Sequence, residues 1–176
     1  MTAAGDDPAT LRLASHAIVA LARDFDAGLA GIDRAQALNP NSAQVIVGAA
    51  WVHNYACLPE AAIQLFRRAM RLSPRDPEMA HMICGIAMAH LIAGELEEAL
   101  VWARRSTREA PAWATGHRVI ITALSQLGRK AEACEAAAAM LRAVPHARIG
   151  ALPLIYRDAV FAERYRSGLA EAGLSH

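Results

Sequence analysis

Gly94-Glu95-Leu96-Glu97-Glu98-Ala99-Leu100, with Pro111 twelve residues beyond Ala99, decides how the whole chain is read. The same frame recurs three more times. Pro40, Pro74, Pro111 and Pro145 lie 34, 37 and 34 residues apart, and a small residue stands twelve places before each: Gly28, Ala62, Ala99 and Ala133. Seven places after these come Ala35, Ala69 and Ser106 in the first three frames. A period near 34 residues marks a helical repeat array. In such an array no unit buries its apolar face alone, so the architecture builds an extended surface rather than an enclosed active site.

Aligning the prolines divides the chain into units of about 9–42, 43–76, 80–113 and 114–147. Each holds two apolar-periodic segments, which predict a helix pair. The breaks between paired helices are Arg23–Asp26, Cys57–Pro59, Gly94–Glu95 and Gly128–Lys130. Gly94 and Gly128 can take the left-handed conformation that ends a helix, and Pro59 suits the first turn of the next. Start signals are equally regular: Asp7-Pro8, Asn41-Ser42 and Asp76-Pro77-Glu78 each supply a capping side chain. The longer interval before Pro111 fits an extended entrance, Arg75-Asp76-Pro77, into the third pair. Ala50 and Ala87 on first helices, and Ala62 and Ala99 on second helices, leave room for close crossing. No strand-like alternation is present.

These residues closely resemble the tetratricopeptide repeat over roughly residues 9–147. The segment 94–100 carries the resemblance best, followed by Pro59-Glu60-Ala61-Ala62-Ile63 with Ala69 and Leu72-Ser73-Pro74. The end units depart from the pattern, with His16 in the first and Ile121 and Met140 in the fourth at positions where a small residue is usual. The resemblance implies an all-α, right-handed superhelix of four helix-turn-helix repeats forming one domain over 1–176. After a linker at 149–153, an amphipathic segment at about 154–172 predicts a helix capping the apolar edge of the last repeat. The chain's ending, Arg166-Ser167-Gly168-Leu169-Ala170-Glu171-Ala172-Gly173-Leu174, resembles the tail of repeat regions behind bacterial class III adenylate cyclases and some transcriptional regulators.

Composition narrows the chemistry. The chain is 55% hydrophobic but only 5% aromatic, which suits close-packed Ala- and Leu-rich helices. Eighteen basic and seventeen acidic residues leave a charge of +1, so neither nucleic acid nor an anionic membrane is demanded as a partner. The basic clusters Arg67-Arg68-Arg71 and Arg104-Arg105-Arg108 read as solvated outer faces. Residues 1–10 hold no apolar run of a secretory signal, and Met79–Ala93, interrupted by His81 and His90, is too short to span a bilayer. Cys57, Cys84 and Cys134 form no paired framework and read as reduced thiols of a cytoplasmic protein.

Catalytic and metal motifs are lacking. Gly28-Leu29-Ala30-Gly31 lies inside a helix pattern without the strand a dinucleotide loop requires. His53/Cys57 and His81/Cys84 each share a helix face, but they fall at opposite ends of neighbouring parallel helices. About nine residues of rise, or roughly 14 Å, separates them, too far for one metal with bonds of about 2 Å. Carboxylate neighbours such as Glu97-Glu98 sit on outer, solvated helices. The sequence therefore implies no enzyme, no metal and no cofactor.

The resemblance assigns the first helix of each pair to the inner, concave surface. Matched positions give Gln44, Val47, Trp51, Asn54 and Tyr55 from the second unit, and His81, Cys84 and Met88 from the third. Arg118 and Thr122 follow from the fourth. Trp, Tyr, Met and Arg are favoured interface anchors, so this groove is the expected surface for a protein or peptide partner. Self-association into a homo-oligomer, or sensing of a small molecule in the groove, are the alternatives.

Overall fold

The computed structural model describes residues 7–146 and 154–174. The first six residues and the predicted linker at 149–153 lie outside them. Eight helices form four antiparallel pairs: α1 (Pro8–Ala17) with α2 (Phe25–Leu38), α3 (Ala43–Tyr55) with α4 (Pro59–Leu72), α5 (Met79–Ala93) with α6 (Leu96–Glu109), and α7 (Ala114–Gln126) with α8 (Lys130–Ala143). A ninth helix, α9 (Ala159–Glu171), follows. Among the described residues there is no strand.

Local chemistry sets the boundaries. Asp7 accepts from the Thr10 amide at 2.7 Å and Pro8 opens α1, while Ser42 accepts from Val45 at 3.3 Å to start α3. The third pair begins later than its capping residues suggest. Asp76 accepts from the Glu78 amide at 2.9 Å and closes a separate turn, so α5 starts only at Met79. All four intra-pair breaks use a left-handed residue in the same register. Gly94 (φ 79°) and Gly128 (φ 74°) take it freely, whereas Arg23 and Cys57 (both φ 57°) adopt it despite their side chains. One π-helical turn, Ile18–Ala22, leads α1 into Arg23.

The small residues mark the crossings. Ala50, Ala62, Ala87 and Ala99 have no exposed surface. A side chain on Gly28 would fall 2.3 Å from Val19 Cγ2. Ten of the fifteen residues of α5 are buried, making it the central rod of the stack. The main core runs from Ile46 and Phe66 through Met82, Ile86 and Val119 to Phe161 and Leu169, and a smaller cluster of Val19, Ile32, Val45, Ala49 and Val52 holds the first pair to the second.

The final helix lies on the last repeat. α9 packs on α7 and makes no comparable contact with α8. Gly168 permits the approach, since a Cβ there would lie 3.3 Å from the Thr122 backbone. The Ser125 hydroxyl donates to the Gly168 carbonyl at 2.8 Å and that of Thr122 to the Tyr165 carbonyl at 3.4 Å. The segment leading into α9 thereby returns across the concave face.

Candidate functional site: the concave face

Two recesses share the concave face and meet at Trp51 and His81. The first, about 460 Å³, opens between α1, α3 and the entrance to α5, with Arg12, His16, Gln44, Val47, Glu78 and His81 on its walls. The second, about 140 Å³, lies toward α7 and is lined by Trp113, Thr115 and Arg118 together with Ile155, Tyr156 and Tyr165. Between them Trp51 stacks on His81 with centroids 4.8 Å apart, and His81 meets Trp113 edge-on at 4.8 Å. Among the described residues no acidic side chain lines the second recess, and none pairs with the half-buried Arg118 guanidinium.

Residues 154–157, outside any helix, run through the remaining part of the groove. The Arg157 amide donates to the Tyr55 carbonyl at 2.8 Å, and Arg23 donates to the Leu154 carbonyl at 2.6 Å. Ile155 is buried beside Trp51 and Trp113. Tyr156 lies against Tyr55, Phe161 and Tyr165, its hydroxyl 3.4 Å from the Met88 sulfur. Arg157 pairs with Asp26 and stands over the Phe25 ring at 5.3 Å.

This arrangement sorts the ten predicted groove residues. Gln44 is exposed, and Val47, Tyr55, His81 and Arg118 are half-buried along the open walls. Trp51 borders both recesses but is only 6% exposed, so it is as much core as surface. Asn54, Cys84, Met88 and Thr122 must be corrected, because none presents a surface to a partner. Asn54 turns inward, where its amide donates to the Gly85 carbonyl at 2.9 Å and ties α3 to α5. Cys84 and Met88 lie below the returning segment, and α9 covers Thr122. Burial pushes the Cys84 thiol up to about 12, so it is no nucleophile.

Several groove residues had no sequence signal. Trp113, 40% exposed, falls just before α7, outside the helical positions that point inward. Arg12 and His16 belong to the atypical first unit, and His16 is fixed by a 3.0 Å contact to the Gly48 carbonyl. Burial holds His16 and His81 below the usual imidazole range; the Gly48 carbonyl opposes this at His16, and Glu78 opposes it at His81. On the opposite, outer face, a cleft of about 660 Å³ holds Arg67, Arg68 and Arg71 with Asp33, Gln64 and His53. Arg68 there donates to the Pro40 carbonyl at 2.6 Å. No described helix is long and apolar enough to cross a membrane.

No protein-family profile matches the sequence, and no curated protein matches it. Solved structures do match. PilW, described as a widely conserved type IV pilus biogenesis factor, superimposes with a TM-score of 0.72 at 15% identity, over 95% of this chain and 75% of that one. The thermophilic TPR protein TTC0263 of Thermus thermophilus gives 0.68 at 21% identity, over 94% and 86% of the two chains. YrrB, described as a TPR protein with an unusual peptide-binding site, gives 0.57 at 17% identity, over 95% and 85%. With four helix pairs in series, small residues at each crossing and these structural likenesses, the chain has the tetratricopeptide-repeat fold.

Proposed function

We propose that this chain is a protein-interaction module whose concave face holds an extended peptide segment of its partner. One observation carries the reading: the groove already holds a non-helical stretch of this chain by its backbone, whose Arg157 amide donates to the Tyr55 carbonyl and whose Leu154 carbonyl accepts from the Arg23 side chain. The recess between Trp51, Trp113 and Arg118 remains beside it. Trp113 offers a large, stiff apolar face, and Arg118 a planar fork without a counter-charge among the described residues, so a partner supplying an acidic side chain next to an apolar one is favoured. The description of YrrB as peptide-binding supports this mode by analogy of fold. The resemblance of the tail to repeat regions behind class III cyclases supports a place in a cytoplasmic bacterial signalling chain, as a regulatory and non-enzymatic part.

Selection of a random peptide library on the wild-type chain tests the reading. Enriched peptides are expected to contain an acidic residue and to lose binding to Trp113→Ala and Arg118→Ala, neither of which removes a fully buried side chain. Peptides that bind those variants normally but fail on Arg67→Ala/Arg71→Ala would move the working surface to the outer face.

A further inference from the structure

We propose that Leu154-Ile155-Tyr156-Arg157 is a displaceable internal occupant of the groove, and that the natural partner carries an extended segment of the same chemistry: aliphatic, aromatic, then basic. This rests on the reading of the concave face as the partner surface and names what the covered part of it recognises. Each of the four residues is held differently. Arg23, left-handed at the first break, reaches the Leu154 carbonyl. Ile155 enters the recess beside Trp51 and Trp113. Tyr156 stands among three aromatic rings, and Arg157 meets an acid and a ring, Asp26 and Phe25.

The main-chain contact has a specific origin. The last carbonyls of a helix lack partners within it. At the end of α3 the Ala56, Cys57 and Leu58 amides turn back to Val52, Asn54 and His53, and the Tyr55 carbonyl is left for the Arg157 amide. Any extended peptide in this place can supply that N–H, so the backbone bond gives affinity and the flanking side chains give selection.

The fastenings are weak where a competitor would begin. The Arg157–Asp26 pair is exposed, at 42% and 86% of the two side chains, and exposed pairs contribute little. Among the described residues the Tyr156 hydroxyl has only a thioether, a poor acceptor, in an apolar site. A peptide able to offer that phenol's position a better partner, or to add a contact at Arg118, can take the place of the strap. While the strap is in, apparent affinity falls by the fraction of molecules whose groove is open.

The test uses the full chain and a fluorescein-labelled peptide of the sequence Leu154–Asp158, followed by anisotropy. Arg157→Ala removes an exposed fastening and should raise affinity for the peptide by up to about fivefold. Tyr156→Ala should raise it at least tenfold, and a peptide with alanine at the tyrosine position should bind neither variant. Equal, weak binding to wild type and to a folded Arg157→Ala chain, with no gain in Tyr156→Ala, would overturn the proposal. So would equal binding of the alanine-substituted peptide. If the strap variants show no gain while library peptides still depend on Trp113 and Arg118, the groove reading stands and only the displaceable strap falls.

Discussion

The Phe66 ring occupies the space that a side chain on Gly85 would need: a Cβ built there lies 2.1 Å from Cζ and 2.4 Å from Cε2. Phe66 cannot retreat, because it is wholly buried and meets Trp51 edge-on at 5.6 Å. The glycine on α5 therefore lets the ring of α4 wedge between successive repeats.

Gly85→Ala is thus expected to destabilise the chain by about 1–3 kcal/mol, despite the roughly 1 kcal/mol that alanine contributes to helix propensity. Urea denaturation measures it. Adding Phe66→Leu should return part of the loss by giving the methyl room. An unchanged midpoint for the single variant would show that the crossing is looser than this geometry requires.

A second prediction concerns the shared left-handed register of Arg23, Cys57, Gly94 and Gly128. A non-glycine residue there costs roughly 1–2 kcal/mol. Gly94→Ala should therefore lower stability by about 1 kcal/mol, and Cys57→Gly should raise it by up to about 1 kcal/mol. Arg23→Gly is the less clean experiment, since it also removes the bond to Leu154. A destabilised Cys57→Gly chain would mean that the half-buried thiol contributes more through packing than the backbone strain removes.

The repeat frame is legible in the sequence because it rests on residues whose backbone or size leaves few alternatives. Proline after the second helix, alanine or glycine at the crossing, and Gly94 and Gly128 at the breaks all act locally. What is not legible is non-local or phase-blind. A main-chain bond between Arg157 and Tyr55 leaves no mark in either side chain. α5 is apolar on nearly every face, so its pattern does not say which residues stay open to the groove, and Cys84 and Met88 are closed off by the returning segment, which the helix pattern cannot foretell. Asn54 misleads for a different reason: a polar residue at an inner position suggests a wet surface, yet its amide satisfies a carbonyl of the neighbouring repeat. The amphipathic pattern of the last helix likewise does not name α7 as its neighbour, where Gly168 comes close to the Thr122 backbone.

Acid should weaken the fold through the groove histidines. His81 is held low by burial, with Glu78 opposing and His16 adding to the effect; His16 is held low by burial, with the Gly48 carbonyl opposing and Arg12 adding. Their neutral forms are favoured only in the folded chain. Stability is then full above the unfolded imidazole value of about 6.5 and falls as the pH drops through the lower folded values. The denaturation midpoint should decline between pH 7.5 and 5, and His81→Phe, which keeps the stack on Trp51, should flatten that decline. An identical pH slope in the variant would remove His81 from the account.

The final prediction separates the two tryptophans at the ends of the aromatic row. Trp51 is 6% exposed, packs on Phe66 and belongs to the main core, whereas Trp113 is 40% exposed and joins the row at His81. Removing a large buried aromatic leaves a cavity and typically costs about 3–5 kcal/mol. Trp51→Ala should accordingly cost a large part of the stability of a domain that has only about 5–15 kcal/mol in total. Any binding it abolishes would then report unfolding as much as a lost contact. Trp113→Ala should shift the urea midpoint little and, with Arg118→Ala, weaken peptide capture by about 2 kcal/mol or more if both are anchors. Parallel melting and binding measurements on the three variants decide the matter. Large stability loss in Trp113→Ala, or a stable Trp51→Ala chain that still fails to bind, would exchange the roles of the two rings.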